Sequence, residues 1–268
     1  MSTPCLDSEV ESRIMGNIGV IALNTFRETL RDKILYNLLL FALFLIGGSA
    51  VLGKLTFIDH DKIMTDAGLA AINIVGVIIA IFVGIGLVSK EIERRTIYTI
   101  IARPIRRSEF LLGKYLGLAT TLAVNMSVMV LVYFAVLVLN RAPIHPSLLQ
   151  ALQLIFVELL IVTAMALLFS TFTTPSLSAM FSIGLYVVGH LTSDLRGLAA
   201  TSKSGITQAV MTGLYYVAPN LDMLNIKGQA AAGVSVLLTY EAMATVYGLL
   251  YSCLLLALAC AVFERRDF

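Results

Sequence analysis

Long stretches without a single charge recur along this chain, and they dictate a helical fold embedded in lipid. Lys33 and Lys54 enclose 20 uncharged residues, Asp66 and Lys90 enclose 23, and Lys114 and Arg141 enclose 26. From Ala142 to Ser193 the sole Asp, Glu, Lys or Arg is Glu158, and Thr173-Thr174-Pro175 divides that run in two. Glu241 and Glu264 enclose a last 22. A helix crosses about 30 Å of hydrocarbon with roughly 20 apolar residues at 1.5 Å each. The pattern predicts an all-α, polytopic membrane protein with six transmembrane helices.

Composition leaves little room for anything else. With 268 residues, 58% of them hydrophobic and 13% charged, the chain has no stretch suited to a soluble catalytic module. A single membrane domain over 1–268 is expected, with an interfacial segment at 14–33, a cytoplasmic segment at 90–110 and an extracytoplasmic segment at 193–240. The net charge of +2 gives no reason to invoke nucleic acid. Cys253 and Cys260 lie seven residues apart on one helix and Cys5 is in a polar tail, so neither a disulfide framework nor a metal cage is expected. Asp7, Glu9 and Glu11 near the start argue against a cleavable signal.

Basic residues set the orientation. With both termini in the cytoplasm, thirteen Lys and Arg fall inside, among them Arg27, Arg31, Arg94, Arg95, Arg103, Arg106 and Arg107, and six fall outside. The inverted arrangement would put the densest basic segment on the outer face.

Two cytoplasmic segments carry more than topology. Over 14–33, Ile18, Ile21, Ala22, Thr25, Phe26 and Leu30 recur at helical spacing against Arg27, Glu28, Arg31 and Asp32. Such a helix beside a span lies in the headgroup plane with its arginines near anionic lipid; the alternative is a cytoplasmic extension of the first span. Over 90–110, Glu91 and Arg95 stand at i,i+4 in the favourable order, Pro104 stops the helix they support, and Ser108 precedes a new one. The short helix so formed carries Ile97, Ile100 and Ile101, an apolar side that needs a cover. On the outer side, 206–215 reads as helix, Pro219-Asn220 breaks it, and a bend is expected before Glu241 because helix from 230 to 263 would be about 50 Å long.

Candidate chemistry is sparse. Gly48-Ser-Ala-Val-Leu-Gly53-Lys54 approaches a phosphate-binding loop, but Leu55 replaces the Mg-binding hydroxyl and no strand precedes it. Glu158, near the centre of the fourth span, either faces a polar pathway or partner, or is a hydrogen-bonded structural carboxyl. Asn73 and Asn125 read as interhelical hydrogen-bond donors. His190, at the outer end of the fifth span, is expected some 15 Å from Glu158 in depth, too far for a shared metal or hydrolytic site. No catalytic residues and no metal site are therefore assigned. Gly113 and Gly117 form a small-xxx-small pair suited to close helix approach.

The run Lys90-Glu91-Ile-Glu93-Arg-Arg-Thr96, continued by Arg103-Pro104-Ile-Arg-Arg107-Ser-Glu-Phe110-Leu-Leu-Gly113-Lys114, resembles the cytoplasmic segment of ABC-2 type transporter permeases. Thr25-Phe26-Arg27-Glu28, Leu167-Leu168-Phe169-Ser170-Thr171-Phe172 and the terminal Phe263-Glu264-Arg265-Arg266-Asp267-Phe268 are similar along the rest of the chain. Gly189-His190 and Pro219-Asn220-Leu221-Asp222 resemble a branch that includes the permease of the nitrous oxide reductase maturation system. The resemblance implies a non-enzymatic, six-span subunit in the inner (cytoplasmic) membrane of a prokaryote. It would pair with a second permease, identical or not, and each would dock a separate ATPase chain, two in all, that binds ATP and Mg. Segment 90–110 would be the coupling helix, with Glu91, Glu93, Arg94, Arg95, Thr96, Arg103 and Pro104 at the ATPase contact, and 14–33 the connector helix with Arg27 and Arg31. Export is the implied activity. The alternative is a non-transport subunit that passes ATP-driven motion to an extracytoplasmic protein.

Overall fold

The computed structural model describes residues 4–55, 60–93, 107–192, 194 and 205–265. Among them the regular structure is helical: α1 (Pro4–Leu30), α2 (Lys33–Leu55), α3 (His60–Glu93), α4 (Arg107–Leu139), α5 (Ser147–Phe172), α6 (Pro175–His190), α7 (Gly205–Val217), a 3₁₀ turn (Asp222–Leu224), α8 (Lys227–Ala231) and α9 (Leu238–Glu264). Five of these, α2, α3, α4, α5 and α9, are long and apolar enough to cross a membrane. The expected fifth span is shorter than its apolar run suggested, because α6 has 16 residues and rises only about 24 Å.

The apolar surface is turned outward, as lipid requires. Leu40 and Phe44 on α2, Leu131 and Val138 on α4, and Met243, Val246 and Leu250 on α9 are all exposed. On a water-soluble chain so much exposed apolar surface would drive association. The core lies instead between α3 and α5, whose residues are mostly buried.

Paired residues fix how the helices run. Gly76 meets Leu159, and Gly84 meets Ala166, so α3 and α5 descend side by side in one direction. Gln150 and Glu241, Gln153 and Thr245, and Val157 and Gly248 pair in order, so α9 runs parallel to α5 as well. Tyr133, on the antiparallel α4, packs on Gly68 and donates its hydroxyl to Thr65 O at 3.2 Å. Since α5 ends where α9 ends, the chain between Phe172 and Leu238 has to climb the length of the bundle.

Breaks occur where local chemistry demands them. Thr173 and Thr174 leave the helix, and Pro175 begins α6 at the position where its missing N–H costs nothing. The bend expected before Glu241 lies at 232–237, around Gly233 with φ of 72°, a value that suits glycine. Gln150 secures the extended piece that follows, donating to Val236 O and accepting from Val236 N, both at 3.1 Å.

The amphipathic first helix differs from its sequence reading in two respects. It runs from Pro4 to Leu30 and is separated from α2 by Arg31 and Asp32, whose carboxylate accepts from Ile34 N at 3.0 Å as an N-cap. It is thus no continuous extension of the first span. Its face of Ile18, Ile21, Ala22 and Thr25 is applied to α4 rather than left for lipid. Amphipathicity specifies that a face is covered but is silent on whether lipid or protein covers it. Gly113 and Gly117 make the approach possible: a Cβ at Gly113 would lie 2.7 Å from Ile21 Cβ, and one at Gly117 would lie 2.7 Å from Ala22 O. Asn17 donates to Glu109 at 3.4 Å, and Glu28 meets the buried Lys114 at 3.6 Å, so α1 runs parallel to α4.

Replacing Gly117 by Val is expected to push α1 off α4 and destabilise the protein by about 1–3 kcal/mol. Gly19→Ala, on the open face of α1 with nothing within 4 Å, should instead stabilise by up to about 1 kcal/mol. Denaturant titration in mixed micelles measures both.

Candidate functional site

A buried polar cluster joins α3, α5 and α6 in the middle of the bundle. Glu158 is 0% exposed, and Asn73 on α3 is buried beside it. Asn73 Nδ2 donates to Glu158 Oε2 at 2.8 Å, and Asn73 Oδ1 accepts from the Tyr186 hydroxyl at 2.9 Å. His190, one turn beyond Tyr186 on the same face of α6, brings Nε2 to 3.4 Å from Glu158 Oε1. The two α6 rings lie 4.6 Å apart, and His190 Nδ1 faces the Tyr186 carbonyl at 3.3 Å.

This contact overturns the expected 15 Å of depth between Glu158 and His190. That figure assumed that α6 fills the bilayer and ends at its outer surface. Counted from the helix ends that meet at the Thr173-Thr174 turn, Glu158 is 14 residues before Phe172 and His190 is 15 residues beyond Pro175. Both therefore stand at about 21–23 Å from that turn, at one level. The signal was present in the sequence, but it needed the turn as reference rather than the presumed membrane surface.

The chain after α6 returns to cover the cluster. Leu221 N donates to Gly189 O at 3.0 Å, and a Cβ on Gly189 would lie 2.8 Å from Pro219 O. Thr192 donates to Asn220 Oδ1 at 2.9 Å, which also accepts from Met223 N at 3.3 Å. The Gly189-His190 and Pro219-Asn220-Leu221-Asp222 elements, far apart in sequence, are thus one local structure. Leu221, Leu224 and Ile226 are buried beneath it, and the charge of Lys227 at the start of α8 acts on Glu158. Tyrosines on α9 hold the segment by its backbone: Tyr251 donates to Val217 O, Tyr240 donates to Met223 O, and Tyr247 accepts from Asn220 N.

The other candidate residues fall elsewhere. Asn125 is buried but donates to Thr121 O in its own helix at 2.8 Å, so the interhelical bond expected of it is not the one it makes. Arg27 and Arg31 are exposed at the end of α1. Glu91 and Glu93 belong to the last turn of α3, and Arg94, Arg95, Thr96, Arg103 and Pro104 lie outside the described residues. Tyr186 and Lys227 were not singled out by sequence reasoning; a Tyr four residues before an intramembrane His was the available sign. Among the described residues no three of His, Cys, Asp and Glu gather closely enough to hold a metal.

A family model described as ABC-2 family transporter protein matches residues 19–268. No curated protein matches the chain.

The two buried asparagines should separate on substitution. Asn73→Leu leaves Glu158 Oε2 and the Tyr186 hydroxyl without their partner and is expected to cost about 1–2 kcal/mol. Asn125→Leu removes only a bond within one helix and should be close to neutral. Unfolding in mixed micelles gives the comparison.

Proposed function

Because the chain belongs to the ABC-2 family of transporter proteins, we propose that it is the permease subunit of an ATP-driven exporter whose ATPase is a separate chain. The observation that carries this reading is the family match over almost the whole sequence. In this reading two permeases, alike or different, pair in the inner membrane of a prokaryote with both termini in the cytoplasm. Each binds one ATPase, which holds ATP and Mg.

The construction of α3 and α4 supports the same reading. With 34 and 33 residues they are each about 50 Å long, roughly 20 Å more than the hydrocarbon. The excess of α4 is at the Arg107 end, where Glu109 and Lys114 lie and where α1 is seated. Residues 94–106 connect these two rods, so a push on that connection is delivered to both. Glu91, Glu93, Arg94, Arg95, Thr96, Arg103 and Pro104 form the proposed ATPase contact, and Arg27 and Arg31 the lipid-facing side of α1. Six crossings complete the subunit, the fifth made by the short α6 together with the chain that follows it. ATP closure shifts such a subunit only as far as the ATPase binds its two conformations differently.

A second reading, in which the motion serves an outer protein rather than a cargo, draws on exposed Tyr216, Val217, Leu237 and Leu238 around the return segment. Crosslinking from the outer side separates the two, since a discrete protein adduct supports mechanical coupling.

Reversing both Glu91 and Glu93 to Lys is expected to reduce co-purification of the co-expressed ATPase by about tenfold or more, with membrane insertion unchanged. An ATPase that stays bound at full yield would refute the assigned contact.

A further inference from the structure

The geometry around Glu158 bears on protons as much as on packing. The Tyr186 carbonyl can only accept, so His190 Nδ1, 3.3 Å from it, carries a hydrogen. In a neutral ring the lone pair is then at Nε2. That nitrogen confronts Glu158 Oε1 at 3.4 Å, and neither atom has a hydrogen-bond partner among the described residues. Asn73 cannot serve them, because its Nδ2 is given to Glu158 Oε2 and its Oδ1 takes the Tyr186 hydroxyl. A bare carboxylate oxygen and a bare imidazole nitrogen would oppose each other, both as acceptors, in an interior without solvent.

We infer that Glu158 and His190 together hold one proton, so that the centre of the bundle is a proton-binding site. Two forms satisfy the balance. Either Oε1 carries the proton and the ring is neutral, or Nε2 carries it and the pair is carboxylate with imidazolium. The surroundings fit a site for one small positive charge. From α3 comes the uncharged Asn73, from α6 Tyr186 and His190, and from α8 Lys227, whose charge acts on Glu158 without an ion pair between them. α9 presents Gly248 against Val157, and on α4 the Tyr115 hydroxyl is directed to Leu160 O; neither adds a charge. His190 is one-fifth exposed whereas Glu158 is sealed, so the imidazole is the member of the pair nearer the surface of the bundle. The site does not depend on what the protein transports.

Magnetic resonance on the full chain in lipid nanodiscs, with ¹⁵N-labelled histidine and ¹³C-labelled glutamate, tests this at neutral pH. His60 and His145 serve as references. The wild type should show either a protonated Glu158 beside a neutral His190 or an ionised Glu158 beside a doubly protonated His190. Glu158→Gln, whose amide can donate to Nε2, should leave His190 neutral with its hydrogen at Nδ1. Tyr186→Phe should keep the wild-type proton count. An ionised Glu158 beside a neutral ring in the wild type overturns the proposal, and that spectrum decides even if Glu158→Gln fails to fold.

Discussion

Close approach of helices at glycine holds this bundle together, and α5 is where those approaches converge. Lipid surrounds a Leu or Val as favourably as another helix does, so apolar burial alone gives two spans little reason to associate. Contact density supplies the reason instead. Gly76 and Gly84 admit Leu159 and Ala166 from α5, and Gly248 admits Val157. With α3 and α9 drawn in on two sides, α5 is shielded from lipid over most of its length. Only in that shielded position can Glu158 keep its place at the centre of a span.

The polar bonds around α5 then select one arrangement among those that packing would permit. Gln150 reaches both Glu241 and the backbone at Val236, setting the height of α9 against α5. Asn73 and Tyr186 set α3 and α6 against Glu158. The tyrosines of α9 carry the return segment, so that segment is positioned by the same helix that α5 positions. Each bond is modest in energy, but each is specific to a register that van der Waals contact would leave loose.

Much of this was readable from the residues, and the failures have a common cause. Charge-free runs located the long helices, Thr173-Thr174-Pro175 located the turn before α6, and the excess length after Ala230 required the bend found before Glu241. Gly113 and Gly117 marked a close approach, although the sequence did not name α1 as the partner. Depth and cover are what the residues leave open. An apolar run implies a helix that spans the bilayer, whereas α6 stops at 16 residues and brings His190 level with Glu158. The apolar face of α1 and the amide of Asn125 both have the pattern of groups seeking a partner. Whether that partner is lipid, another helix or the residue's own helix depends on tertiary neighbours, which periodicity does not encode.

The order in which the cluster's members occur along the chain has a consequence for biosynthesis. When Glu158 leaves the ribosome, Asn73 has already emerged, but Tyr186, His190 and Lys227 have not. Neither has α9, which covers the flank of α5. During translation, therefore, a helix bearing a carboxyl group must wait at the insertion machinery or in the bilayer with one of its partners and without the others. A chain truncated after α5 would present that unfinished surface to the quality-control proteases of the membrane.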